Sequence, residues 1–268
     1  FSFVLSFFLS FFSFFFSFLV FFLFFFFSFL SFFLSFFGSF FLSFFNLHQH
    51  PPCLKKASYC EELLLLGSRQ VGTATVFVSW ALSADVDEML EAMEHYCEQH
   101  GLDPTTTYFW LCTTGFDQNA SGDVGLLSKL VEAIGNTAFY FDSAGTPVAL
   151  TRIWCLLEIL ATSQIGGTFE LMMTKDVGAE LLSMLVNDFD SIMKMLSLID
   201  ARKAKAYKEK DRIAVLALIV KSMTMGDLSF MVNDKVGKAI VALARAALAL
   251  LPEEERWVSG LALHLAIL

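Results

Sequence analysis

The sequence predicts an α/β fold, in which helices flank a parallel sheet and a helical C-terminal extension follows. Two observations lead to this prediction. Between residues 73 and 173, short apolar segments rich in β-branched residues alternate with longer amphipathic segments, as in repeated strand–helix–strand units. From residue 176 onward, apolar residues recur at helical spacing alone. Crossovers between parallel strands are right-handed, so we expect helices on both faces of the sheet.

The chain divides by composition into four parts. Residues 1–45 are a low-complexity tract, 46–72 a linker with one short helix, 73–200 the α/β domain and 201–268 the helical extension. Within the domain, the predicted strands are Thr73–Trp80, Tyr108–Cys112, Thr137–Asp142 and Thr168–Met173. The predicted helices include Asp85–His100, Thr151–Thr162, Asp176–Ile199, Asp211–Met225 and Leu228–Leu251, with a last short helix after Pro252.

The first 45 residues contain 25 Phe, 10 Ser and 7 Leu, and no charged residue precedes Lys55. Their order follows neither a helical nor a strand period. Phe, Ser and Leu can all be written with pyrimidine-only codons. We therefore expect this tract to be the read-through of a pyrimidine-rich repeat, and to insert into a membrane if it is genuinely translated.

The charge and the cysteine content of the chain limit which binding partners and which cellular compartment we expect. The net charge of −9 at pH 7 argues against nucleic acid as a partner. Five cysteines without a CxxC pair disfavour a disulfide framework and favour a reducing compartment. The expected location is cytoplasmic, or membrane-anchored if residues 1–45 are real. The sequence contains no phosphate loop, and we expect no bound metal or cofactor.

One segment, AIGNTAFYFDSAGTPVALTRIWCLLEILAT at 133–162, has a more specific pattern. Its strand and its W-C-L-L-E run resemble the third strand and following helix of the Toll/interleukin-1 receptor (TIR) domain. VFVS at 76–79 and YFWLC at 108–112 are similar to the first two strands of that family. The resemblance covers about residues 73–200 and implies a flavodoxin-like, TIR-like fold. One departure is that Trp80 directly follows Ser79, where some related sequences have histidine.

The resemblance implies two functions. The first is a signalling module that assembles with itself or with other TIR-like domains. The alternative is an NAD glycohydrolase that cleaves the nicotinamide–ribose bond with a single helix glutamate. Glu158 lies at the matching position, and NAD would be its substrate. Trp154 lies one helical turn before Glu158 on the same stripe, where we expect it to stack on a planar ring. Ser79, Trp80, Asp142 and residues of the 113–123 loop are expected to line the pocket.

The alternative role for this segment is structural. Trp154 would then extend the buried face of its helix, and Glu158 would be a surface acid paired with a basic neighbour. If Glu158 is catalytic, we expect it beside Ser79 at the carboxyl edge of the sheet, because open parallel sheets bind ligands there.

Overall fold

The computed structural model describes residues 57–116 and 124–250. It contains one sheet of four parallel strands in the order β2-β1-β3-β4. The strands are β1 (Val76–Ser79), β2 (Phe109–Trp110), β3 (Asn136–Tyr140) and β4 (Thr168–Met172). The α/β prediction with flanking helices is confirmed. The tract 1–45 and the helix predicted after Pro252 lie outside the described residues.

At least one helix lies between consecutive strands as far as β4, and the remaining described helices follow β4 without further strands. The described helices are α1 (Tyr59–Leu65), α2 (Val86–His100), α3 (Cys112–Gly115), α4 (Val124–Ile134), α5 (Ile153–Gln164), α6 (Lys175–Asn187), α7 (Phe189–Ser197), α8 (Glu209–Ile219) and α9 (Met225–Leu250). Both ends of helix α2 are marked by residues with known capping preferences. The Asp85 side chain accepts hydrogen bonds from two backbone N–H groups of the first turn, and Gly101 ends the helix with a φ of 62°.

The single helix predicted over Asp176–Ile199 is wrong, because the structure has two helices there. The break occurs at Asp188, which has φ −147° and ψ 56° and is outside the helical region. Asn187 and Asp188 are both poor helix formers. Helix α6 buries Leu181 and Leu185, and α7 buries Ile192, Met195 and Leu196, all in the same hydrophobic cluster.

The two faces of the sheet bury different residues, as the two-residue period of a strand requires. Phe77 and Phe139 lie in one hydrophobic cluster together with the apolar residues of α5. Val78 and Tyr140 lie in a second cluster, on the face that α2 covers. Ser79 shares the period of Phe77, so its side chain points toward α5.

The C-terminal helices belong to the same core as the sheet. Helix α9 buries Leu228, Val232, Val236, Ile240 and Ala244, one residue in four along a single stripe. Burying each of the larger side chains contributes about 1.5–3 kcal/mol of hydrophobic stabilisation. Helices α8 and α9 both pack against α5, so they help to hold the helix that carries Glu158.

A short backbone pairing also joins the C-terminal region to the start of α5. The N–H of Ile153 donates to the carbonyl of Lys205 at 2.9 Å, and the N–H of Lys205 donates to the carbonyl of Thr151 at 2.8 Å. No side chain caps this end of α5. One of the free N–H groups at the start of the helix is therefore satisfied from the distant 201–206 segment.

No helix within residues 57–116 and 124–250 is both long enough and apolar enough to cross a bilayer. The membrane-insertion prediction concerned residues 1–45, which are not among these residues.

Candidate functional site

Glu158 lies inside the protein, at the carboxyl end of β1. Only 7% of the residue is exposed, and its Oε2 accepts a hydrogen bond of 2.5 Å from the Oγ of the fully buried Ser79. The two residues are far apart in sequence, and the parallel sheet brings them together. This is the arrangement expected if Glu158 belongs to a site at the carboxyl edge.

The burial of Glu158 follows from the position of its helix. Every residue of α5 from Cys155 to Thr162 is buried, because the sheet and the helices α4, α8 and α9 surround it. A helix in this position has no solvent-facing side for an acid to occupy. No Lys, Arg or His of the described residues forms an ion pair with Glu158.

Burial controls the protonation of Glu158. Removal from water raises the pKa of its carboxyl to about 8, and the hydrogen bond from Ser79 opposes this rise. Without a positive charge beside it, Glu158 is therefore mainly a neutral acid at pH 7. A positive charge placed against the carboxyl would lower its pKa and favour the carboxylate.

Two cysteines lie around Glu158. Burial raises the pKa of the Cys112 thiol to about 12, and the negative charge of Glu158 adds to the effect. Burial likewise raises the pKa of Cys155, whose thiol donates to the carbonyl oxygen of Trp80 at 3.4 Å. Both thiols stay protonated near neutral pH, which makes them poor nucleophiles. Neither cysteine was among the predicted site residues, although each lies next to a predicted site segment.

Two further polar atoms at this edge are buried without a hydrogen-bond partner in the described part of the chain. They are the indole Nε1 of Trp80 and the hydroxyl Oγ1 of Thr113. Trp80 was a predicted site residue, and Thr113 is the first residue of the 113–123 loop that was predicted to form a wall of the pocket; residues 117–123 of that loop lie outside the described residues. The sequence does not show which atoms of the loop lack a partner, because that depends on the three-dimensional packing.

The other two predicted residues make contacts of a different kind. Asp142 is half-buried just after β3, and its Oδ1 accepts a hydrogen bond of 2.9 Å from the N–H of Val148. Burial raises the pKa of Asp142, and the hydrogen bond with Val148 opposes the rise. Trp154 is half-buried and packs against the core cluster. Within the described ranges, neither residue forms a hydrogen bond with Glu158.

Together these observations define a class: an α/β protein with a buried acid at the carboxyl edge of a parallel sheet, hydrogen-bonded to a serine and without an ion-pair partner among the described residues. No family model, curated protein or solved structure matches the chain. Among the described residues, no group of three or more His, Cys, Asp or Glu side chains is arranged to hold a metal ion.

Proposed function

We propose that the protein hydrolyses the bond between nicotinamide and ribose in NAD, with Glu158 as the catalytic residue. The observation that supports this proposal is the buried Ser79–Glu158 pair, with which no cationic side chain of the described residues forms an ion pair. Burying an acid in this way costs stability, and strongly perturbed carboxyls of this kind are concentrated at functional sites. The position at the carboxyl edge is also where open parallel sheets bind ligands.

The chemistry requires only one carboxylate. The bond between ribose C1′ and the pyridinium nitrogen breaks, its electron pair goes to the nitrogen, and nicotinamide leaves as a neutral molecule. The ribose becomes an oxocarbenium-like cation, which the Glu158 carboxylate stabilises. Water then attacks C1′ and gives up a proton to that carboxylate, so that ADP-ribose forms. Ser79 positions the carboxyl by donating to its Oε2.

The charge of the substrate complements the charge of the site. Glu158 has no ion-pair partner in the part of the chain that the structure describes, and the oxidised nicotinamide ring is a cation. Binding of the ring would lower the pKa of Glu158 and convert the neutral acid into the carboxylate that the reaction uses. A neutral, reduced nicotinamide ring would not provide this stabilisation, so the proposal restricts the substrate to the oxidised nucleotide.

The test is to incubate the purified protein with NAD and to measure nicotinamide and ADP-ribose by chromatography. We expect both products in equal amounts from NAD. We expect neither product from NADH, because the reduced ring carries no positive charge and so cannot leave as a neutral molecule. Absence of nicotinamide at micromolar protein over hours, from a sample with the expected helical circular dichroism, would contradict the proposal.

A second candidate function is an interaction module that self-associates. The observation in its favour is the run Leu64, Leu65 and Leu66 at the end of α1, whose side chains are 65%, 72% and 81% exposed. Exposed apolar clusters of this kind commonly mark protein contacts. If these leucines form a homotypic interface, Leu65→Ser should lower the average mass seen by light scattering at high concentration, and Leu126→Ser, on α4, should not. If Leu65→Ser leaves the average mass unchanged, these leucines do not form a homotypic interface.

A further inference from the structure

Two cationic side chains lie next to each other at the start of α5. Arg152 directly precedes the helix in an extended backbone conformation, and an isolated parallel bridge pairs it with Lys205. Paired residues of such a bridge direct their side chains to the same face, so the Arg152 guanidinium and the Lys205 ammonium leave the backbone side by side. Lys205 is exposed and Arg152 is half-buried, so solvent reaches both.

The two cations repel each other, and no acid compensates them. In the part of the chain that the structure describes, no Asp or Glu forms an ion pair with Arg152 or Lys205. Asp200 and Glu209, the acids that precede and follow Lys205 in the chain, pair with other arginine and lysine side chains. Like charges opposite each other on paired backbone segments are destabilising. An anion bound between the two side chains would remove this repulsion.

The backbone holds Lys205 in place from two sides. Its N–H and its carbonyl form hydrogen bonds with the two residues that flank Arg152. The Arg212 guanidinium then fixes the segment before it, since Nε donates to the carbonyl of Ala204 and Nη2 to the carbonyl of Arg202, both at 2.9 Å. The fold therefore places the two cations together before any ligand arrives, which lowers the ordering cost of binding.

This pair of cations lies at the carboxyl edge of the sheet, where α5 begins after β3. Burial and the negative charge of Glu158 raise the pKa of the Cys155 thiol, and the positive charge of Arg152 opposes this rise. The Arg152 charge therefore reaches the surroundings of the buried acid. A ligand held by Arg152 and Lys205 would occupy the edge that also contains Glu158.

We propose that Arg152 and Lys205 form a binding site for a phosphate or diphosphate group. A guanidinium presents parallel N–H groups that match two oxygens of a phosphate, and the lysine ammonium adds a second positive charge. A phosphate group carries about −1.5 to −2 charges at neutral pH, which matches the two cations, whereas a carboxylate carries only one. The site does not require that NAD is cleaved.

The experiment is a calorimetric titration of the purified protein with inorganic pyrophosphate at low ionic strength, where charges are least screened. We expect pyrophosphate to bind at least about tenfold more tightly than acetate at the same ionic strength. Arg152→Gln and Lys205→Gln keep the backbone hydrogen bonds of the bridge, and each should weaken pyrophosphate binding about tenfold or more. Lys205→Arg keeps the charge and should retain binding. Lys221→Gln, at an exposed lysine beyond the far end of α8, is the matched control.

A titration with ADP-ribose, which contains a diphosphate, distinguishes two sources of the group. Tighter binding than pyrophosphate, weakened in the same two variants, would assign the site to the diphosphate of a nucleotide, and weaker binding would assign it to the free anion. The proposal is overturned if pyrophosphate does not bind, if acetate binds as tightly, or if Arg152→Gln and Lys205→Gln keep the wild-type affinity. Circular dichroism confirms that each variant is folded. None of these results depends on whether Glu158 cleaves NAD.

Discussion

Replacing Glu158 by glutamine should lower kcat for NAD cleavage about a thousandfold, which lies within the usual range for loss of one acid or base at a catalytic centre. Glutamine has nearly the same volume as glutamate, and its amide oxygen can still accept the hydrogen bond from Ser79. The variant removes only the negative charge that stabilises the oxocarbenium-like transition state. The measurement is nicotinamide release under single-turnover and steady-state conditions, with circular dichroism as the check on folding.

The pH dependence of the wild-type reaction provides an independent readout. Because kcat/KM reports the ionisation of the free enzyme, it should rise with pH and level off above about 8, the pKa of Glu158. Ser79→Ala removes a hydrogen bond that lowers this pKa, so its profile should move to higher pH. A Glu158→Gln variant that cleaves NAD at the wild-type rate would exclude Glu158 as the catalytic residue.

Glu158→Gln should also make the protein more stable in alkaline solution. The pKa of Glu158 is about 8 in the folded state against an ordinary value of 4.5, so between these values the folded protein binds more protons than the unfolded chain. Its stabilising contribution is complete below pH 4.5, decreases as the pH rises, and is lost above about 8.

The check is the free energy of unfolding from urea titrations at pH 5, 7 and 9. The wild type should lose stability relative to Glu158→Gln across this range, and the difference should be largest at pH 9. Glu180→Gln serves as the control, since it makes the same substitution at a carboxylate that lies exposed on α6. Parallel pH curves for wild type and Glu158→Gln would show that Glu158 ionises as readily inside the protein as in the unfolded chain.

Much of the fold could be predicted because its signals are local. The alternation of short apolar strands and amphipathic helices identified all four strands of the sheet, with ends that differ by a few residues. Asp85 and Gly101 marked the limits of α2 through capping preferences that depend on a few neighbouring residues. The break at Asp188 was missed, because the apolar pattern continues across it and only packing against the core requires the turn.

The site could be predicted only in part, for a similar reason. A general rule about parallel sheets sufficed to expect Ser79 beside Glu158. The same rule did not show that Glu158 would be buried on a helix enclosed on all sides, because that depends on α8 and α9, far along the chain. The rule did indicate the strand end that contains Thr113, but not that the Thr113 hydroxyl would be buried without a partner among the described residues.

The backbone hydrogen bond between Ile153 and Lys205 affects how the chain folds during its synthesis on the ribosome. The first turn of α5 is completed by a segment made about fifty residues later, and the stripe of α9 that covers the same face comes later still. A nascent chain that ends before Lys205 therefore exposes the apolar surface of α5, and it cannot hold Glu158 in its final environment. Glu158 therefore reaches its buried position only after nearly all of the described chain has been translated.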